Sequence, residues 1–240
     1  MLARIGFVFL LVLLGMACSP KMAQPEISNW RNLIIDEELS NFEIKNGTAE
    51  YYLEDNSIVG ISKADTPNSF LCTKEHFGDF ILEFEVWADP LLNSGVQFRS
   101  ISDPAIMDGR VHGYQVEIES SPRKWAGGIY DEARRGWLYS LDTNPEAKEA
   151  FKVDKWNHYR IEAIGDEIVT YVNKVQCTYL IDDMTERGFI GFQVHSIENK
   201  EQENKKVKWR NIRIKTSNLE SEIWPRSSNV TKVIKSIEEK

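Results

Sequence analysis

The chain has 240 residues, of which 28% are charged and 42% hydrophobic, and its formal net charge is −8. That length suits one large all-β domain with a few appended segments, and the apolar content is enough for a full core. An acidic surface excludes nucleic acid as the partner, because phosphates call for a basic one.

The chain opens with Arg4 and an almost unbroken apolar run from Ile5 to Leu14. The run falls short of the ~20 residues that span a bilayer and has the form of a signal-peptide core. It ends in Leu14-Gly15-Met16-Ala17-Cys18, which resembles a bacterial lipobox with Gly15 at a position where Leu is usual. Residues 1–17 are therefore expected to be a signal peptide, with Cys18 the lipidated first residue of the mature chain and residues 18–29 a polar tether. The alternative is ordinary cleavage near Ala17. The expected location is the cell envelope, on a lipid anchor in the periplasm or at the outer membrane. Cys72 and Cys177 sit in apolar, strand-like stretches, which points to buried thiols rather than to a disulfide.

From residue 30 to 216 a period of two dominates, as in half-buried strands. Phe80, Leu82, Phe84 and Val86 alternate with Ile81, Glu83, Glu85 and Trp87; Val96 and Phe98 alternate with Gln97 and Arg99. Tyr114, Val116 and Ile118 alternate with Gln115, Glu117 and Glu119. Tyr159, Ile161 and Ala163 follow, then Ile190, Phe192 and Val194 against Gly191, Gln193 and His195. A last strand, Val207 to Ile214, changes phase near Asn211. Turn signals such as Asn46-Gly47, Asp108-Gly109 and Gly165-Asp166 separate these runs. Many short strands so punctuated predict a sandwich or jelly roll. One short helix is expected from Glu146 to Phe151, with Asn144 as its cap and Pro145 at its first position. In the tail, residues 217–240, the spacing of Val230, Val233, Ile234 and Ile237 predicts a second short helix.

Several outward-facing sets are unusual for a solvated surface. Gln97 with Arg99, Gln115 with Glu117 and Glu119, and Gln193 with His195 would line a polar groove if their strands are neighbours. Loop residues add Asn93 and the run Gly127-Gly128-Ile129-Tyr130-Asp131-Glu132, flanked by Trp125 and Trp137 with Arg134 and Arg135 between. Aromatic faces beside planar polar groups suit sugars. Glu83 and Glu85, by contrast, read as an ordinary solvated face.

Six ordered motifs together resemble the 3-keto-disaccharide hydrolase domain family. They are Asn93-Ser94-Gly95-Val96-Gln97-Phe98-Arg99, Val111-His112-Gly113-Tyr114-Gln115-Val116-Glu117-Ile118, Gly127-Gly128-Ile129-Tyr130, Lys155-Trp156-Asn157, Gly191-Phe192-Gln193-Val194-His195 and Trp209-Arg210-Asn211-Ile212-Arg213-Ile214. Lys155 stands where the family more commonly has Glu. The resemblance implies an all-β, concanavalin A-like jelly-roll sandwich of two antiparallel sheets that cleaves glycosides oxidised to a ketone at C3. Glu117 and His195 are then the candidates for proton transfer, since both residue types can be tuned toward neutral pH. Asn93, Gln97, Arg99, Gln115, Tyr130, Asp131, Glu132, Arg135, Trp137 and Gln193 are the expected sugar contacts. No cofactor or metal is expected, although Asp131 or Glu132 has the oxygen chemistry to ligate calcium. Two rival readings stay open: a non-catalytic sugar-binding module on the same fold, and a two-carboxylate glycanase using Glu117 and Glu119. Exposed, flat faces on Trp125 and Trp137 would favour the binding module; Glu117 and His195 in one pocket would favour the enzyme.

Overall fold

The structure, a computed structural model, describes residues 29–235. The expected signal peptide, residues 1–17, and Cys18 lie outside the described residues. In chain order the strands are β1 Arg31–Asn32, β2 Phe42–Asn46, β3 Glu50–Glu54, β4 Ser57–Ile61, β5 Ser69–Thr73, β6 Phe80–Ala88, β7 Ser94–Ile101, β8 His112–Ile118, β9 Ile129–Glu132 and β10 Gly136–Tyr139. After helix α1 (Pro145–Lys148) come β11 Asn157–Ile164, β12 Glu167–Val172, β13 Val175–Gln176, β14 Leu180–Ile181, β15 Phe189–Val194, β16 Lys206–Lys215 and β17 Val233–Ile234.

These strands form two sheets. The larger has ten strands in the order β17-β14-β12-β11-β6-β16-β4-β3, with β1 beside β16 and β13 beside β12. The smaller has seven, in the order β10-β9-β8-β7-β15-β5-β2. The two sheets stack as the alternation predicts. Phe84, Val86, Val96, Phe98, Tyr114, Val116, Phe192 and Trp209 are all fully buried. Rings cross the interior: Phe84 of the large sheet meets Phe192 of the small one edge-on at 6.4 Å, and Phe192 packs on Trp209 at 5.5 Å. Each such side chain contributes roughly 1.5–3 kcal/mol by leaving water. Cys72 and Cys177 are buried and unbonded to each other, and burial pushes both thiols well above their usual range.

Local signals were realised to different degrees. The phase change near Asn211 is a bulge: the β16–β6 register shifts between Arg210 and Arg213, and Asn211 takes a φ of 51°. Helix α1 starts where expected, and the Asn144 side chain accepts from the Ala147 N–H at 3.4 Å, but it stops at Lys148. No helix forms around Val230 in the tail. Val233–Ile234 instead pairs in parallel with Leu180–Ile181. The edge of β14 offers unpaired backbone groups, and an added strand satisfies them in a way that a surface helix cannot.

A candidate sugar site on the seven-stranded sheet

The polar phases of β15, β7, β8, β9 and β10 meet on the outer face of the small sheet. Gln97 lies opposite Gly191 on one side and Gln115 on the other. Gln115 in turn lies opposite Tyr130, and Tyr130 opposite Trp137. Glu117 faces Gly95, a residue without a side chain. That absence matters, because a Cβ on Gly95 would stand 2.3 Å from Cδ of Gln115. The glycine of the Asn-Ser-Gly motif thus lets the Gln115 amide lie flat across β7.

Neighbouring strands run ~4.8 Å apart, so these side chains enclose a pocket of about 320 Å³. Eight of the expected residues line it: Asn93, Gln115, Glu117, Tyr130, Glu132, Trp137, Gln193 and His195. Glu117 and His195, 78 positions apart in the chain, therefore share one pocket. Two hollows adjoin it, one of about 440 Å³ sharing Asn68, Arg110 and Glu132, the other of about 200 Å³ sharing Asn93 and His195. A larger hollow, about 640 Å³, lies beyond Glu119 and Phe151 and contains neither Glu117 nor His195.

Glu117 is almost wholly buried. Burial raises its pKa, the Asn93 amide at 2.8 Å opposes that, and the charge of Glu119 reinforces it; the result is a carboxyl pushed up to about 7. Gln115 Nε2 donates to the second oxygen at 3.2 Å, and Arg123 stands 3.7 Å away. Arg123 is itself occupied by Glu119 at 2.7 Å, so it does not hold Glu117 ionised as a dedicated partner would. Nδ1 of His195 lies 2.6 Å from the Ser196 carbonyl. A carbonyl can only accept, so Nδ1 carries the hydrogen and Nε2 is the ring nitrogen with a free lone pair. Gln193 is fully buried on the pocket wall, and neither its amide oxygen nor its nitrogen has a hydrogen-bond partner. A buried, orphaned amide is costly unless a ligand or water completes it.

Four expected contacts lie elsewhere. A bulge between Phe98 and Ile101, with Arg99 at φ 45°, breaks the alternation there. Arg99 turns away from the pocket and staples loops instead, donating to the Gly78 and Gly165 carbonyls and to Asp79. Gln97 has the correct phase but lies beneath the pocket surface. Its Nε2 donates to Gln115 Oε1 at 2.8 Å, and its Oε1 accepts from Ser100. Gln97 therefore positions Gln115 and does not line the site. Asp131 alternates with Tyr130 and Glu132, so it points to the opposite face, paired with Arg134 and Arg135 at 2.7 and 2.6 Å. Arg135 completes that cluster by binding Asp182. With Asp131 so engaged and Glu132 on the other face, the two do not form a joint calcium site. Among the described residues no group of three His, Cys, Asp or Glu is placed to hold a metal ion.

Three lining residues were not singled out from the sequence: Asn68, Arg110 and Arg123. Arg123 carried a faint signal, standing four residues after Glu119 and two before Trp125. Its guanidinium covers both indoles, 4.6 Å from the Trp125 ring and 4.8 Å from that of Trp137. The two indoles also pack edge-on at 4.7 Å. One face of each indole is thereby covered. Asn68 and Arg110 belong to loops whose meeting no local pattern announces.

Solved structures share the fold at low identity. A candidate glycosyl hydrolase from Parabacteroides distasonis superposes with a TM-score of 0.54 and 18% identity, covering 78% of this chain and 98% of that one. A Bacillus subtilis protein of unknown function with a galectin-like fold gives a TM-score of 0.55 at 12% identity, covering 78% and 94%. A carbohydrate-binding module, also from Bacillus subtilis, gives 0.50 at 18% identity, covering 72% and 94%. No curated protein matches the chain. Residues 29–215, nearly all of the sandwich, match the family described as the 3-keto-alpha-glucoside-1,2-lyase-like domain, and the chain belongs to that carbohydrate-related family.

Proposed function

We propose that the pocket cleaves glycosides whose sugar ring carries a ketone at C3. The observation that carries this reading is the buried Glu117 carboxyl, held near neutrality in the same pocket as the free Nε2 of His195. The C3 ketone makes the hydrogen on C2 acidic. His195 Nε2 removes that proton, and the electron pair passes through the enolate to expel the substituent at C1. Glu117, about half protonated at pH 7, delivers a proton to the departing oxygen. Water then adds to C1 of the resulting enone, its hydrogen returning to C2, which leaves the free 3-keto sugar and the released alcohol. Tyr130 is the donor on hand for the developing enolate oxygen, and the unpartnered Gln193 amide suits a hydroxyl or carbonyl of the ring. The covered faces of Trp125 and Trp137 speak against a platform-type binding module.

The test is to incubate the purified protein with a 3-keto glucoside and with its unoxidised parent. The aglycone should leave only the ketone, and deuterium at C2 should slow its release. Equal rates on both substrates, without an isotope effect, would point to two-carboxylate hydrolysis instead. The apolar run from Ile5 to Leu14 and the lipobox-like segment ending at Cys18 support a second part of the proposal, a domain at the cell envelope tethered through Cys18. Mass spectrometry of the membrane fraction should find a diacylglyceryl adduct on Cys18; a soluble product beginning elsewhere would remove the anchor.

A further inference from the structure

The motif Lys155-Trp156-Asn157 takes no part in the Glu117 pocket, yet its asparagine fixes the loop before it. Asn157 is fully buried, and its side chain makes three hydrogen bonds to that loop. Its Oδ1 accepts from the Lys152 N–H at 2.7 Å, and its Nδ2 donates to the carbonyls of Lys152 and Lys155 at 2.9 and 2.8 Å. The bonds hold Lys152, Val153 and Lys155 on one side of the hollow of about 640 Å³. The loop after β8 supplies another side, with Glu119, Pro122, Lys124 and Ala126. Arg123 of the same loop lines the Glu117 pocket instead, so this loop parts the two cavities.

The walls differ in chemistry from those of the Glu117 pocket. Among the described residues no amide or guanidinium side chain lines this hollow, and such planar groups are the ones suited to sugar hydroxyls. Pro122, Ala126, Phe151 and Val153 form an apolar floor, with Val153 47% exposed. Four lysines surround it, in a chain whose net charge is −8. Lysine stems extend such a floor while the ammonium groups stay in water.

The acidic groups nearby are engaged. Glu119 is buried and accepts from Ser121 Oγ, from Arg123 and from the Trp125 N–H. Lys124 pairs with Glu149 at 2.6 Å and Lys148 with Asp142 at 2.7 Å. Asp154 accepts from Trp87 Nε1 at 3.1 Å and does not line the hollow. Among the described residues Lys152 and Lys155 have no ion pair. Nζ of Lys152 meets only the neutral Glu149 carbonyl, at 2.6 Å, which leaves donors free on its ammonium group. Two uncommitted cations beside an apolar floor, in a cavity of ordinary ligand size, call for a ligand with both characters.

We infer that this hollow binds a small amphipathic anion, its flat aromatic body seated on Pro122, Phe151 and Val153 and its carboxylate met by Lys152 and Lys155. The site is separate from the Glu117 pocket, and the inference does not depend on the chemistry proposed there.

Titration calorimetry on the purified protein tests this with three probes: naphthoate, the neutral naphthylmethanol, and acetate. Naphthoate should bind about tenfold more tightly than naphthylmethanol, the worth of one favourable charge contact, and acetate should not bind measurably. Lys155→Glu should remove most of the preference for the acid and leave naphthylmethanol unchanged. Val153→Asp should weaken both aromatic probes. Both side chains are exposed, so neither change should disturb the fold. Equal affinity for the acid and the alcohol would overturn the anion site. Acetate binding as tightly as naphthoate would overturn the apolar seat. Naphthoate binding untouched by either substitution would place the probe elsewhere and end the assignment. So would failure of naphthoate to bind at millimolar concentration.

Discussion

On the outer face of the ten-stranded sheet, Glu83 accepts hydrogen bonds from Arg160 and Arg213; on the outer face of the seven-stranded sheet, Glu117 has the amides of Asn93 and Gln115. Both carboxylates are about 95% buried. Burial raises each pKa, yet the His158 ring 3.9 Å away and hydrogen bonds from Arg213 and Arg160 overcome it at Glu83 and bring that carboxyl down to about 2, whereas Glu117 rises to about 7. Burial does not by itself decide the charge of a carboxyl; the cations committed to it do. The large sheet is also roofed. Arg160 continues to Glu162, Arg226 reaches Glu162 from the tail, and Trp224 stacks over His158 with the Arg160 guanidinium 4.5 Å from its ring. That face is closed and satisfied. The other is open, with an amide that has no partner.

The largest effect expected of this contrast concerns stability. Arg160→Ala should strand Glu83 and Glu162 and cost about 3–5 kcal/mol in urea unfolding, the usual penalty for removing one member of a buried ionic cluster. A loss under about 1 kcal/mol would mean that the network is only a solvated surface.

The pH dependence should separate the two faces. Glu117 in the folded protein lies above its ordinary 4.5, so its contribution is fully present below about pH 4.5 and is lost as pH rises through about 7. At about 1.4 kcal/mol per pKa unit, the loss comes to ~3.5 kcal/mol. Glu83 runs the other way: its contribution is present above about pH 4.5 and disappears as pH falls through about 2. Chemical denaturation across this range should show both slopes, and Glu117→Gln should flatten only the neutral one. An unchanged neutral slope would show that Glu117 titrates normally.

A somewhat smaller change is expected in turnover. Glu117→Gln and His195→Ala should each slow cleavage of a 3-keto glycoside by about 10²-fold, near 2.7 kcal/mol, with the fold preserved. Undiminished rates would end their assignment as acid and base. Least of all, Gly95→Ala should displace the Gln115 amide and raise KM about fivefold, near 1 kcal/mol, while preserving the fold. A variant with wild-type KM would mean that Gln115 does not touch the substrate.

The sandwich was legible in the chain because alternation is local. Val116 and Ile118 must enter the core, so Glu117 must leave it, and the same holds for Val194 and His195. Gln115, Glu117, Gln193 and His195 reached the pocket on that reasoning, and Asn93, Tyr130, Glu132 and Trp137 reached it through the loop motifs. It failed where the period itself failed: the bulge at Arg99 reversed one side chain that the alternation had placed outside. It also misjudged Glu83, whose phase was right but whose solvent was replaced by arginines and a tail. Asp131 was misplaced for a simpler reason, since a loop motif was taken whole although its residues alternate.

The long strands of the sandwich, their side-chain phase away from the Arg99 bulge and the family motifs follow from neighbours a few residues apart, and the amino-acid order alone settles them. The meeting of Glu117 with His195 depends on β8, β7 and β15 lying side by side, a choice made by long-range pairing. Backbone hydrogen bonds join any two strands equally well, so global packing selects the order. The same packing brings Asn68, Arg110 and Arg123 to the pocket from separate loops and leaves the Gln193 amide without a partner at its wall.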